Sequence, residues 1–100
     1  MTAWIGRARL TLYLEGANSL KEKRGEVKSV IHRLQNRFNA AVAEIEDLDD
    51  IRVATIGIVV VSTSAPHADQ MLATILKAAE GMLDLAVPGE VDTELIPFDS

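Results

Sequence analysis

The chain has 100 residues, 48% of them hydrophobic and 25% charged, with no cysteine and a formal net charge of −5. A chain of this length buries about 65% of the surface it exposes when unfolded, enough for one domain with its own core. The composition excludes a disordered segment, a disulfide-stapled scaffold, a thiolate metal site and a cysteine nucleophile.

The elements follow in chain order. In AWIGRARLTLYL, Ala8, Leu10, Leu12 and Leu14 fall on one face and Arg7, Arg9, Thr11 and Tyr13 on the other, the alternation of a half-buried strand. EGAN is a loop, and Ser19 with Glu22 forms a capping box that starts a helix. Leu20, Val27, Val30, Ile31, Leu34 and Phe38 share its apolar stripe, which predicts a helix to about Arg37. AAVAEIE reads as a short second strand, EDLDD as a polar turn, and IRVATIGIVVVSTS as a buried third strand rich in β-branched residues. Ser64 and Pro66 mark a second helix start. Its stripe runs Ala68, Met71, Leu72, Ile75, Leu76, Ala79, Met82, Leu83, and VPGE is expected to break it. VDTELIPF predicts a last strand that Pro97 confines to a sheet edge.

The order β-α-β-β-α-β over residues 1–100 predicts a single α+β, ferredoxin-like domain. It would be a four-stranded antiparallel sheet with two helices on one face, the first and third strands central and the other face open. The third strand is apolar on both faces, so the open face should carry an apolar patch, and a homo-oligomer, most simply a dimer, is expected. Alternatively Arg7, Arg9 and Tyr13 cover a narrow open face. A base-stacking platform is not expected there, because the third strand contributes no aromatic.

The net charge conceals an asymmetry. Residues 1–37 carry eight Lys or Arg and three Glu, a balance of +5; residues 38–100 carry two Lys or Arg and twelve acids, a balance of −10. Such a split points to an interaction surface for a nucleic acid or an oppositely charged protein. The overall pI near 4.9 argues against a dedicated nucleic-acid binder, and no DNA partner is expected. MTAWIGRARL lacks the pattern of a signal peptide and IGIVVV is too short to span a bilayer, so the expectation is a cytoplasmic protein without a membrane partner.

The positive charge concentrates in SLKEKR and the helix it opens. At about 100° per residue, Lys21, Arg24, Lys28 and His32 form one flank beside the apolar stripe, while Glu22, Glu26, Arg33 and Arg37 mix signs on the other. Cations in a first turn oppose the helix dipole, and Gly25 costs about 1 kcal/mol relative to Ala. Such local conflict points to function, here an anion or RNA contact made by Lys21, Lys23, Arg24, Lys28 and His32. Two other readings stay open: a solvated charged flank, or a contact with the acidic half of a second copy.

GANSLKEKR, VKSVIHRLQNRFNAAVAEI, ATIGIVVVS and HADQMLATIL resemble the YlxP-like family, a bacterial domain of unknown function (DUF503), over nearly the whole chain. The resemblance implies a small ferredoxin-like protein with no established activity. Genes of this family often sit beside those for translation and ribosome-maturation factors, which implies ribosomal RNA or a translation or ribosome-maturation protein as partner. Gly25, where a better helix former is usual, and the acidic turn EDLDDIR depart from the family's pattern. No catalytic residue carries over.

Other chemistry is sparse. His32 and His67 lack metal-ligand spacing, and Glu44, Glu46, Asp47, Asp49 and Asp50 lack the glycine and spacing of a calcium loop, so they read as solvated acids and no metal or cofactor is expected. That acidic run could instead meet a basic ribosomal protein. Acylphosphatases share the topology, and Gly16, Asn18 and Arg24 are placed for such a hydrolase, but its glycine-rich loop and its spacing to the arginine are missing. A small-ligand module of the ACT type is a further alternative that no glycine-rich turn supports. The expectation is a non-enzymatic accessory protein that contacts RNA or a translation factor through its first helix.

Overall fold

The computed structural model describes residues 2–99. Its elements are β1 (Trp4–Tyr13), α1 (Leu20–Arg37), β2 (Ala41–Glu46), β3 (Val53–Ser62), α2 (Ala65–Glu80) and β4 (Val87–Pro97). The sheet is antiparallel throughout in the order β2-β3-β1-β4, so the first and third strands are central as the sequence predicts.

Alternation decides what each central strand buries. Ala8, Leu10 and Leu12 of β1, and Leu14 just beyond it, join Ala54, Ile56, Ile58 and Val60 of β3 beneath the helices. From above, Val27, Val30 and Leu34 of α1 and Ala68, Leu72, Ile75 and Ala79 of α2 complete the core. The ambiguity of β3 is thereby resolved: its alternate set, Val53, Thr55, Gly57, Val59 and Val61, takes the open face.

Both helices begin where hydroxyl caps stand. Ser19 Oγ accepts from the Glu22 amide at 3.1 Å, and the Glu22 carboxylate accepts from the Asn18 amide at 2.8 Å, one residue earlier than a strict capping box. Ser64 Oγ accepts from the His67 amide at 3.3 Å, with Pro66 in the first turn.

Two boundaries differ from expectation. α2 ends at Glu80, with the Gly81 amide bonded back to the Ala78 carbonyl; Met82 and Leu83 continue the apolar stripe from the following turn and still pack against the core. VPGE does not lie outside the last strand but begins it. β4 is an edge strand whose register on β1 shifts between Leu10 and Leu12, and such a place tolerates Pro88. Gly89 is needed there, because a β-carbon would collide with the Tyr13 ring.

Candidate functional site: the exposed face of the first helix

The core-facing line of α1 is Lys23, Val27, Val30 and Leu34, spaced i, i+4, i+7, i+11. The surface role expected of Lys23 is therefore corrected: its side chain is fully buried, at 0% exposure. Its ammonium donates to the Asp47 carbonyl at 2.5 Å and lies 2.9 Å from Glu44 Oε2, an ionic contact off the ideal hydrogen-bond angle. The chain needs a cation there because the β2–β3 turn folds back over the helix start. Asp47 takes φ 61°, a left-handed conformation that Asp accepts more readily than most residues, and aims its carbonyl at the ammonium.

Arg24 is also engaged, 3.1 Å from Asp49 in the same turn. Glu46, Asp47, Asp49 and Asp50 of the acidic strip are solvent-exposed as expected, and they are engaged as well. Glu46 pairs with Arg9, Asp47 accepts from the Thr55 hydroxyl at 3.3 Å, and Asp50 accepts from the Arg52 amide at 2.8 Å. Every ion pair among the described residues joins a cation before residue 38 to an acid after it, so much of the charge asymmetry is neutralised within the chain.

Lys21, Lys28 and His32 do lie together on the solvent face, with Gly25 between them and no atom within 4 Å of where its β-carbon would stand. The helix's two acids face elsewhere. Glu22 serves the cap, and Glu26 accepts from the amides of Asp84, Leu85 and Ala86 at 2.6–3.3 Å, tying the α2–β4 loop to α1. On the flank toward α2, Arg33 and Arg37 are exposed, and the Arg37 guanidinium lies 5.3 Å above the Phe38 ring centre. Among the described residues, Lys21, Lys28, Arg33, Arg37, Arg52 and Lys77 have no carboxylate within ion-pair distance; the first four are on α1, and Arg52 is bonded to backbone carbonyls instead.

The loop before α1 is closed to a phosphate. The Gly16 amide donates to the Leu85 carbonyl, the Ala17 amide to the Leu14 carbonyl and the Asn18 amide to Glu22, while Arg24 is turned to Asp49. An acylphosphatase-like cradle would need those donors free. No group of three or more metal-ligating side chains stands together among the described residues, and none of their helices is long and apolar enough to cross a membrane.

On the open sheet face, Arg7 reaches Glu94 at 2.8 Å and Asp92 at 3.4 Å, and the hydrogen bond with Glu94 raises its pKa further. Tyr13 donates to the Glu90 carboxylate at 2.7 Å; that bond raises the phenol's pKa and lowers that of Glu90. Ile45, Val59 and Val61 remain exposed, at 48%, 40% and 56%.

Solved structures similar in shape support the topology alone. A de novo designed ferredoxin-fold protein, LFR1 1, matches at TM-score 0.53 and 15% identity over 96% of this chain and 86% of its own. The designed protein Foldit4 matches at TM-score 0.51 and 10% identity over 94% and 96%. Part of the Bacillus subtilis protein YxeP, described as a dinuclear metal binding peptidase of the M20 family, matches at TM-score 0.57 and 15% identity, covering 96% of this chain and 26% of that one. In sequence, the uncharacterised protein YlxP of Bacillus subtilis (strain 168) is 36% identical over 72 residues, 72% of this chain and 78% of its own. Residues 5–89 match the family described as "Protein of unknown function (DUF503)", and the chain belongs to that family.

Proposed function

We propose that the protein is a non-enzymatic accessory factor of the cytoplasm that docks on exposed ribosomal RNA through α1. The observation that carries this reading is the division of its cations. Arg7, Arg9, Lys23 and Arg24 are paired with carboxylates, and Arg52 donates to the Leu14 and Ala17 carbonyls, whereas Lys21, Lys28, Arg33 and Arg37 stand unpaired along one helix. Lys21 and Lys28 stand on one flank of that helix and Arg33 and Arg37 on the flank toward α2, spread over about 24 Å of its length. The acidic remainder of the molecule would repel a phosphate chain, so the charge pattern also orients the approach. Lys23 and Arg24 support the surface from within and are not part of the contact.

The test is fluorescence anisotropy with a labelled, mixed-sequence 20-nucleotide RNA. Lys21→Glu/Lys28→Glu/Arg33→Glu should abolish binding at low salt while far-UV circular dichroism stays unchanged. For the parent protein, log affinity should fall with log salt by about 0.7 per phosphate contacted. A parent that binds no RNA in 50 mM salt overturns the reading, as does a triple variant with the parent's affinity and slope.

A second copy of the chain is the partner that the open sheet face fits. Ile45, Val59, Val61 and Val87 are among its exposed apolar residues, and its charges are already paired within the chain. Two such faces meet without unpaired like charge, whereas RNA would find no free cation there. The helices lie on the other side of the sheet, so a dimer formed this way leaves α1 open.

A further inference from the structure

A cleft of about 290 Å³ lies between the end of α1 and the first turns of α2. Phe38, Met71 and Ile75 give it apolar walls, all part of or packed against the core. Its polar groups come from Asn39, Gln70, His67 and Thr74, whose hydroxyl donates to the Gln70 carbonyl. No Lys, Arg, Asp or Glu lines it. Resting on the reading of α1 as the RNA contact, we propose that this cleft receives one unstacked base of the bound strand.

The chemistry of the lining selects that ligand. A neutral cleft with an aromatic wall suits a flat, uncharged ring. Each primary amide, Asn39 and Gln70, offers a donor and an acceptor, the combination that reads base edges. Single-stranded RNA is recognised by such splayed bases, stacked on an aromatic or a guanidinium and hydrogen-bonded along the edge.

His67 is held in place for this. Its Nδ1 lies 2.9 Å from Ser62 Oγ, which accepts from the Ser64 amide at 3.1 Å. In the tautomer in which Nδ1 accepts the Ser62 hydroxyl proton, Nε2–H is a further donor for the base. The charge that an RNA strand requires stands beside the cleft and not in it. Arg37 lies over the Phe38 ring, and Arg33 is one turn back on the same helix flank. A base inside with its phosphates outside matches that division.

The experiment compares two labelled 12-nucleotide RNAs, one intact and one with abasic ribose at its four central positions. The parent should prefer the intact strand by about 5- to 150-fold, the range for one base stacked on an aromatic. Asn39→Ala/Gln70→Ala, at two exposed positions, should erase most of that preference while leaving the salt slope unchanged. Phe38→Leu should do the same, with its melting temperature measured alongside. Equal affinity for both strands with an unchanged salt slope overturns the cleft and leaves the α1 contact standing. Binding of neither strand overturns both. A double alanine variant that keeps the full preference also overturns the cleft.

Discussion

Replacing Lys23 by methionine keeps the stem that packs beside Val27 and Val30 and removes only the ammonium. Glu44, whose side chain is 14% exposed, then loses its ionic partner, and the Asp47 carbonyl loses its donor. Removing one member of a buried ion pair costs about 3–5 kcal/mol. The partial exposure of Glu44 admits some water, so about 2–4 kcal/mol is expected here. That is a large share of the roughly 5–15 kcal/mol that holds a domain together, and it lowers the melting temperature by about 10–20 °C. Urea denaturation followed by circular dichroism measures it. The double variant Lys23→Met/Glu44→Leu, which removes both charges, should recover most of the loss. A Lys23→Met variant within about 0.5 kcal/mol of the parent would mean that the ammonium is solvated, and the buried-pair argument would fall.

Three further outcomes follow from the same geometry. Gly25→Ala should stabilise the fold by about 1 kcal/mol, since the site is open and helical; destabilisation would show that the backbone there is not ordinary helix. Tyr13 is the only tyrosine, so ultraviolet titration reads it directly; its midpoint should lie above the ordinary value near 10 and return toward it in Glu90→Gln. Because the folded phenol titrates higher than the unfolded one, the pair's contribution is present below about pH 10 and fades above it. The lowered carboxyl of Glu90 gives the opposite limb, present above about pH 4.3 and lost as pH falls through its folded value. Light scattering of the parent at micromolar concentration should report twice the chain mass, and Val61→Lys should return it to one; a monomeric parent removes the second copy from the reading.

Much of the fold is written in local patterns. Alternation around Leu10 and Leu12 fixed which face of β1 is buried, and Ser19 marked the start of α1 to the residue. What escaped was decided by partners distant in sequence. Whether VPGE only breaks α2 or already begins β4 depends on its pairing with β1, where Val87 and Pro88 lie opposite Tyr13 and Leu12. The acids of the β2–β3 turn are exposed, but their pairing escaped because the cations come from β1 and α1. Lys23 was legible in principle. It shares the stripe of Val27, Val30 and Leu34, and only its formal charge placed it outside, although a lysine stem is as apolar as its neighbours. The cleft at Phe38 had no sequence signal, because the close approach of α1's end to α2's start is a property of the packed sheet beneath them.

The pairing of early cations with late acids also has a consequence in time. A chain made from its N-terminus presents Arg7, Arg9, Lys23 and Arg24 before any of their partners exists, and Asp92 and Glu94 are among the last residues to emerge. Its first 37 residues carry +5 beside the polyanionic particle that is making it, and the acids from Glu44 to Asp50 then bring the running balance to zero. The sign turns negative only at Asp84, and β4 adds three further acids, so the finished molecule leaves as an acid.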